Sequence, residues 1–211
     1  MTIIQASKIT LNEVELLFGF QELYDGEFAP FLSLEPVTEA EQQELIKIRH
    51  DFRFYLKEKE ASEGQVRFIA VAPLLRLAGF YQFPIQLRVE QGIDRINIED
   101  EDTSITGRFD IIAVNKEKQT ANDVNFWVLV IETKPSLADS WAGLPQLLTY
   151  AYKSLDRQTS TWGLTTNGRN YQFVYIQQGN PPTYMLMPEL QLMKSSSAIQ
   201  LLQVLKAICQ L

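Results

Sequence analysis

The stretch FWVLVIETKP, residues 126–135, constrains the fold of this chain more than any other segment. Its first six residues are all apolar, which is typical of a β-strand that is buried on both faces. Glu132 and Lys134 then follow two positions apart, before a proline ends the run. Successive side chains of a strand point to opposite faces, so Glu132 and Lys134 should share one face while Thr133 points away from it. Because a buried strand tolerates charge only at its end, or where the charge is paired, the sequence predicts a small polar pocket there.

Hydrophobic spacing and capping signals predict the remaining elements. Helices come first, with one loop between them: helices over residues 10–18, 39–59 and 62–80, and a loop at 19–37. The second half mixes strands and helices: strands at 83–91, 107–114, 126–133 and 183–187, a hairpin over 161–177, and helices over 139–155 and 196–211. This order predicts an α/β fold, with a central mixed β-sheet flanked by helices.

Three local features carry predictions about the backbone. Pro73 lies inside the predicted helix over 62–80 and should kink or shorten it. In the hairpin, Asn167-Gly168 predicts a type I′ turn, in which both residues have positive φ. The sequence EDEDTS, residues 99–104, predicts an acidic turn.

Composition narrows the class of protein. The chain has 211 residues, of which 45% are hydrophobic, and this suits a globular domain with its own core. No segment approaches the roughly 18 consecutive apolar residues of a membrane helix, and the N-terminus is too polar for a signal peptide, so we expect a cytoplasmic protein. One histidine, His50, excludes a multi-histidine metal site, and one cysteine, Cys209, excludes an internal disulfide. We expect Cys209 to be a buried, inert thiol.

The net charge of −7 bears on possible partners. It argues against a generally basic surface that coats nucleic acid. An acidic chain must bind any polyanion through a metal or a concentrated basic patch, and such binding should be sensitive to salt.

A second carboxylate lies in a setting similar to that of Glu132. Asp110 is embedded in GRFDIIAV, residues 107–114, although aspartate is unfavourable in a strand. If this strand and the strand at 126–133 are antiparallel neighbours, Asp110 lies beside Glu132. Two carboxylates held close together repel each other unless a proton or a cation lies between them. Without clustered histidine or cysteine, the predicted cation is Mg²⁺ or Mn²⁺.

Structural roles can explain these residues one by one. A Glu-x-Lys at the end of a strand is commonly an ion pair, and a lone aspartate in a strand is commonly a bulge or turn contact. The ordered set is more specific: Asp110, then Glu132-Thr133-Lys134 on the next strand, then the helix over 139–155. On that helix Gln146 and Tyr150 are one turn apart, so both can face the same site.

This set resembles the PD-(D/E)xK nucleases, which carry Asp on one strand, (D/E)-x-K on the next and, in many members, Q-x-x-x-Y on the following helix. Three stretches further resemble the N-terminal nuclease domain of type I restriction-enzyme R subunits and its stand-alone relatives. They are SEGQVRFIAVAPLLRLAGF (62–80), the two core strands, and WGLTTNGRNYQFVYI (162–176). The resemblance implies a restriction-endonuclease-like fold in a single compact domain. Residues 61–211 would be the nuclease core, and residues 1–60 a helical extension packed on it.

The resemblance implies a Mg²⁺-dependent (or Mn²⁺-dependent) DNA endonuclease of the restriction type. Its catalytic residues would be Asp110, Glu132, Lys134 and Gln146. Asp110, Glu132 and the main-chain carbonyl of Thr133 would hold the metal. Lys134 would contact the attacking water or the developing negative charge, and Gln146 would orient the water or a phosphate.

Other residues have a more open assignment. Glu63 is a plausible further metal-binding carboxylate, and it is also well placed to interact with the helix dipole at the start of its own helix. Lys153, Arg157 and Arg169 follow or flank the site in sequence, and they are candidates for contacts to the DNA backbone.

The chain departs from the family pattern in places. Phe109 stands where many members have proline, and Thr133 replaces the usual small residue. The chain contains no G-x-x-x-x-G-K-(S/T) motif, so it lacks the nucleotide-driven motor of a full R subunit. A nuclease-fold module that binds DNA or protein without cutting, and a purely structural ion-pair cluster, stay open as alternatives. The expected partners are DNA, a second copy of the chain or separate restriction-system subunits.

Overall fold

The computed structural model describes residues 2–92, 96–98, 103–119 and 125–211. Within these residues the strands are β1 (Thr2–Gln5), β2 (Gln21–Leu23), β3 (Ile85–Val89), β4 (Ile96–Ile98), β5 (Thr103–Thr106), β6 (Ile111–Gln119), β7 (Asn125–Thr133), β8 (Ser160–Thr166), β9 (Asn170–Gln177), β10 (Thr183–Leu186) and β11 (Leu190–Gln191). The α-helices are α1 (Leu11–Phe18), α2 (Glu39–Glu58), α3 (Glu63–Gln65), α4 (Ala72–Leu77), α5 (Leu144–Leu155) and α6 (Ser195–Cys209). Short 3₁₀ helices cover Ala6–Lys8 and Ser140–Gly143.

The main sheet has the strand order β2-β10-β9-β8-β7-β6-β3, with β11 paired to β9. The predicted central strand, β7, is antiparallel to β6 on one side and parallel to β8 on the other. A smaller sheet has the order β1-β5-β4. A mixed sheet flanked by helices was predicted from the order of elements, and this part of the prediction is confirmed.

Two hydrophobic clusters cover the two faces of β7. Val130 and its strand neighbour Ile131 belong to different clusters, as expected for a strand that is buried on both faces. The first cluster draws on α2, α4 and α6, and includes Leu45, Phe52, Leu74 and Leu201. The second draws on α1 and α5, and includes Val14, Phe18, Leu147 and Tyr150. The first sixty residues therefore supply buried side chains to both clusters.

The predicted helix starts follow their capping signals. The side chain of Thr10 caps α1, and that of Thr38 caps α2, each in a capping box with the glutamate three residues later. The irregularity expected at Pro73 takes the form of a π-helical stretch, Val66–Val71, directly before it. There the amide of Ala72 donates to the carbonyl of Arg67, five residues back. A proline cannot donate to the carbonyl four residues before it, and this widened turn lies where that hydrogen bond is missing.

The hairpin formed by β8 and β9 is confirmed, but its predicted turn type is wrong. Of the turn residues, only Gly168 has a positive φ, at 80°. Asn167 instead closes the turn with its side chain, because its Oδ1 accepts from the amides of Arg169 and Asn170. A Cβ atom at Gly168 would lie 2.5 Å from the ring of Phe52, so packing also requires glycine there.

Several short strands were not predicted. β2 lies in the segment expected to be a loop, and it pairs in parallel with β10. β1 pairs in parallel with β5, about a hundred residues later in the chain. The predicted acidic turn at 99–104 falls partly outside the described residues, and its last two residues belong to β5. In the described part of the chain, the helices are all too short or too polar to cross a membrane.

Candidate active site

The pairing of β6 with β7 brings the two predicted carboxylates together. Ile111 is opposite Ile131 in this antiparallel ladder, so the preceding Asp110 is adjacent to Glu132. Their contact is direct, because the amide of Asp110 lies 3.4 Å from Oε1 of Glu132. The antiparallel arrangement considered from sequence is the one observed.

Asp110 lies immediately before β6, whereas the sequence predicted it inside the strand. Its Oδ2 accepts hydrogen bonds from the amide of Thr133 at 2.7 Å and from the Thr133 hydroxyl at 2.6 Å. Aspartate is unfavourable within a strand, and here its side chain bonds to the neighbouring strand, so the regular ladder of β6 begins only at Ile111. Thr133 was expected to point away from the site, but its hydroxyl therefore helps to hold Asp110 in place.

Glu132 is the most deeply buried carboxylate of the site, with 1% of its surface exposed. Its Oε2 has no hydrogen-bond partner among the described residues. Burial, and next the charge of Asp110, raise the pKa of Glu132 well above its usual range, while the charge of Lys134 opposes this rise. A carboxylate in this position is costly for the fold unless a proton or a cation accompanies it.

Helix α5 connects Lys134 to the segment that precedes Asp110. Nζ of Lys134 donates to Oε1 of Gln146 at 3.2 Å, and Nε2 of Gln146 donates to the hydroxyl of Tyr150 at 3.0 Å. The Tyr150 hydroxyl donates to the carbonyl of Arg108 and accepts from its amide. A Cβ atom at Gly107 would lie 2.5 Å from that hydroxyl, so this close approach requires glycine. The predicted Q-x-x-x-Y pair thus faces the same site as Lys134.

An arginine that sequence reasoning did not assign lies among the acidic residues. NH1 of Arg67 is 2.9 Å from Glu90 and 3.4 Å from Oδ1 of Asp110, and NH2 is 3.3 Å from Glu63. Burial, and next the charge of Asp110, raise the pKa of Glu63. Glu90 has a φ of 51°, an uncommon value for a residue other than glycine. The spacing of Glu63 and Arg67, one helical turn, was a detectable signal. No sequence signal indicated Glu90, because Arg67, with which its carboxylate pairs, is 23 residues away in the chain.

Most of these side chains, although not Glu90 or Thr133, line one cavity of about 530 Å³. Its lining includes three acidic and three basic side chains, namely Glu63, Asp110, Glu132, Arg67, Arg108 and Lys134. The formal charge of this lining is therefore balanced, although the whole chain carries −7. Gln5 and Ser7, near the N-terminus, also line the cavity.

The three residues predicted to contact DNA lie away from this lining. Nζ of Lys153 pairs with Asp156 at 3.1 Å near the end of α5, and Arg157 follows in a half-buried position. Arg169 is exposed in the turn between β8 and β9.

The donor set can be compared with the needs of a hard divalent cation. Over the described residues, no three side chains of His, Cys, Asp and Glu gather into a metal-binding group. Mg²⁺ usually keeps several of its waters and takes only one or two carboxylates from the protein. Asp110 and Glu132 supply two adjacent carboxylates, one of which has a buried oxygen without a partner, so the residues present fit Mg²⁺ or Mn²⁺.

Comparisons with known proteins give a distant likeness. No protein-family model matches the chain, and no curated protein sequence matches it. Among solved structures, a fragment assigned as an HsdR subunit of a type I restriction enzyme from Vibrio vulnificus YJ016 is similar, with 19% identity and a TM-score of 0.38. The match covers 67% of this chain and 26% of that one, so this chain spans about a quarter of its length. These values identify neither the fold nor the activity of this chain, which leaves the site geometry as the evidence for function.

Proposed function

We propose that this chain is a Mg²⁺- or Mn²⁺-dependent DNA endonuclease of the PD-(D/E)xK type, with a restriction-endonuclease-like fold. The observation that carries the proposal is the contact between Asp110 and the buried Glu132, whose Oε2 has no partner among the described residues. Lys134 lines the same cavity, so two acids and one amine meet at the end of a rigid, buried strand.

Each residue has a definite task in this proposal. Asp110 and Glu132 would hold the cation, with the main-chain carbonyl of Thr133 as a further ligand. Among the described residues, Glu63 does not form a three-carboxylate group with them, so it would act through its ion pair with Arg67. When bound, the cation would acidify a water molecule and offset charge on the phosphate. Lys134 would donate a hydrogen bond to the attacking water or to a phosphate oxygen.

The neighbouring helix would position these groups. Gln146 accepts from Lys134 and donates to Tyr150, so it can hold the amine of Lys134 toward the cavity. Proximity and orientation of this kind account for a large part of enzymatic rate enhancement.

DNA is the proposed substrate and partner. Lys153, Arg157 and Arg169, which lie outside the cavity, would contact the DNA backbone beyond the cleaved bond. Such contacts should make binding weaker as salt rises. A second copy of the chain, or separate restriction-system subunits, would supply the other cut or the target recognition.

A cleavage assay tests the proposal. Supercoiled plasmid and single-stranded DNA are incubated with wild type, Lys134→Ala and Lys47→Ala, with Mg²⁺ or Mn²⁺. Lys47 is a suitable control because it is exposed on α2 and pairs with Glu44, away from the cavity. We expect cleavage by wild type and Lys47→Ala, and its loss in Lys134→Ala. A wild-type protein that cuts neither substrate with either metal contradicts the proposal.

A non-cleaving module that binds DNA or protein is the second candidate. The ion pairs of Arg67 with Glu63, Glu90 and Asp110 favour it, since they give these carboxylates a cation from the protein itself. In that case the wild type should bind DNA equally well in chelator and in Mg²⁺, and should leave it uncut.

A further inference from the structure

Two buried polar atoms at the base of the site have no hydrogen-bond partner. They are Oε2 of Glu132 and Oγ1 of Thr165, and both lack a partner within the described part of the chain. Buried polar atoms in folded proteins are nearly always paired, so two unpaired atoms require an explanation. Thr165 was not singled out from the sequence; it is fully buried and is not among the residues that line the cavity.

The strand register places these two residues side by side. Glu132 and Thr165 are direct partners in the parallel ladder of β7 and β8. Residues in register on neighbouring strands present their side chains to the same face of the sheet. Here that face is covered by α5, since a Cβ atom at Gly163, two residues before Thr165, would contact Leu147.

The side chains of Glu132 and Thr165 both lie close to Gly143, the residue immediately before α5. A Cβ atom at Gly143 would lie 3.2 Å from Cβ of Glu132 and also 3.2 Å from Cγ2 of Thr165. The Thr165 methyl group and Cβ of Glu132 therefore border the same small space beside Gly143. A 120° rotation about χ1 moves the threonine hydroxyl to the position that the methyl group occupied, and moves the methyl group to the position of the hydrogen on Cβ. Such a rotation would bring the hydroxyl into the space beside Glu132.

We propose that Thr165 is a positioning residue for Glu132, and that its hydroxyl donates a hydrogen bond to the Glu132 carboxylate in the working site. An ionised carboxylate only accepts hydrogen bonds, and a threonine hydroxyl supplies one donor. This bond would give both unpartnered atoms a partner. It would hold Oε2 of Glu132 toward Thr165 and leave Oε1 on the side of Asp110. Its effect on a bound cation rests on the proposed function, whereas the hydrogen bond itself requires no cation and can be tested in the metal-free chain.

Urea unfolding in chelator at about pH 8 tests the hydrogen bond without metal. Thr165→Val keeps the shape of the side chain and removes only the hydroxyl. If the hydroxyl serves Glu132, this variant should have a lower urea midpoint than wild type, and Thr165→Ser should restore part of it. In a Glu132→Gln background the same change should shift the midpoint less, because a neutral acceptor forms a weaker bond. If the buried hydroxyl instead has no partner, its removal should stabilise the fold, and the urea midpoint of Thr165→Val should be higher than that of wild type.

Mn²⁺ titration calorimetry on the same proteins tests the positioning role. Partners that orient a metal ligand typically change metal affinity about 10- to 100-fold when removed. We expect that loss in Thr165→Val and recovery in Thr165→Ser. Thr161→Val is the matched control, because Thr161 lies on the same strand and donates to the carbonyl of Trp127, away from the site. It should leave Mn²⁺ affinity unchanged.

The outcomes separate this inference from the proposed function. A wild type that binds no Mn²⁺ contradicts the proposed function, while the unfolding comparison still decides whether Thr165 bonds to Glu132. A midpoint that is unchanged or raised in Thr165→Val overturns the inference. A lowered midpoint with unaltered Mn²⁺ affinity overturns the positioning role.

Discussion

Replacing Glu132 with glutamine should make the metal-free protein more stable, and increasingly so as the pH rises. Burial and the charge of Asp110 raise the pKa of Glu132 in the folded chain, whereas in the unfolded chain it should be near the ordinary value of 4.5. Between these two pKa values the folded state holds a proton that the unfolded state has released. The stability from this proton is complete below pH 4.5 and is lost as the pH rises through the folded pKa.

The size of the effect follows from proton linkage. One proton released on unfolding lowers the free energy of unfolding by about 1.4 kcal/mol for each pH unit. Glu132→Gln lacks the ionisable group, so its advantage over wild type should grow at up to that rate and level off above the folded pKa. With a urea m-value of about 2 kcal/mol per molar, the two midpoints should separate by roughly 0.7 M per pH unit.

The assay is urea unfolding followed by tryptophan fluorescence, in chelator, from about pH 5 to 9. Glu13→Gln is the control. Glu13 is exposed, and its pKa is lowered by two hydrogen bonds that it accepts, chiefly from the amide of Thr10 and next from the Thr10 hydroxyl. Its contribution is complete above pH 4.5 and is lost only as the pH falls through the lowered pKa, so this control should differ from wild type by a constant amount. A constant difference for Glu132→Gln as well would refute the claim that a buried, charge-repelled carboxylate occupies the site.

Three further substitutions test other contacts of the site. Tyr150→Phe removes the hydroxyl that bonds to the main chain of Arg108, and should lower the free energy of unfolding by about 1–3 kcal/mol in urea titrations; a change of only a few tenths would show that this segment does not depend on it. Gly143→Ala places a methyl group 3.2 Å from Cβ of Glu132, so that side chain must move by a few tenths of an ångström, and Mn²⁺ binding should weaken in calorimetry; normal Mn²⁺ affinity would count against a close fit there. Arg67→Met removes a cation beside the carboxylates, so Mn²⁺ should bind about fivefold tighter, or roughly 1 kcal/mol; weaker binding would mean that Arg67 organises the site.

Local signals in the sequence were sufficient to predict the strands and the helix that form the candidate site. The apolar run that ends in Glu132-x-Lys134 predicted the central strand and the shared face, because alternation within a strand is a property of its own backbone. The contact of Asp110 with Glu132 needed one further assumption, antiparallel pairing of consecutive strands. Gln146 and Tyr150 followed from helical spacing, and both lie where that spacing predicts.

Features that depend on distant partners were not predictable in the same way. The turn at Asn167-Gly168 also makes distant contacts, because Asn167 donates to the carbonyl of Ala138 and Gly168 packs on Phe52. β1 is only four residues long and gains its ladder from a strand far along the chain. Glu90 joins the site through residues distant in sequence, since its carboxylate pairs with Arg67 and its amide donates to the carbonyl of Asp110. No local pattern encodes such contacts.

The most direct test of the central claim is Mn²⁺ binding to wild type and to Asp110→Asn, measured by titration calorimetry. The account predicts a saturable site in wild type that tightens as the pH rises, because protons compete for Glu132. In Asp110→Asn that site should be lost or weakened at least tenfold, with the fold retained by urea unfolding. Equal Mn²⁺ binding by the two proteins, or no binding by wild type at millimolar Mn²⁺, would contradict a cation site formed by Asp110 and Glu132.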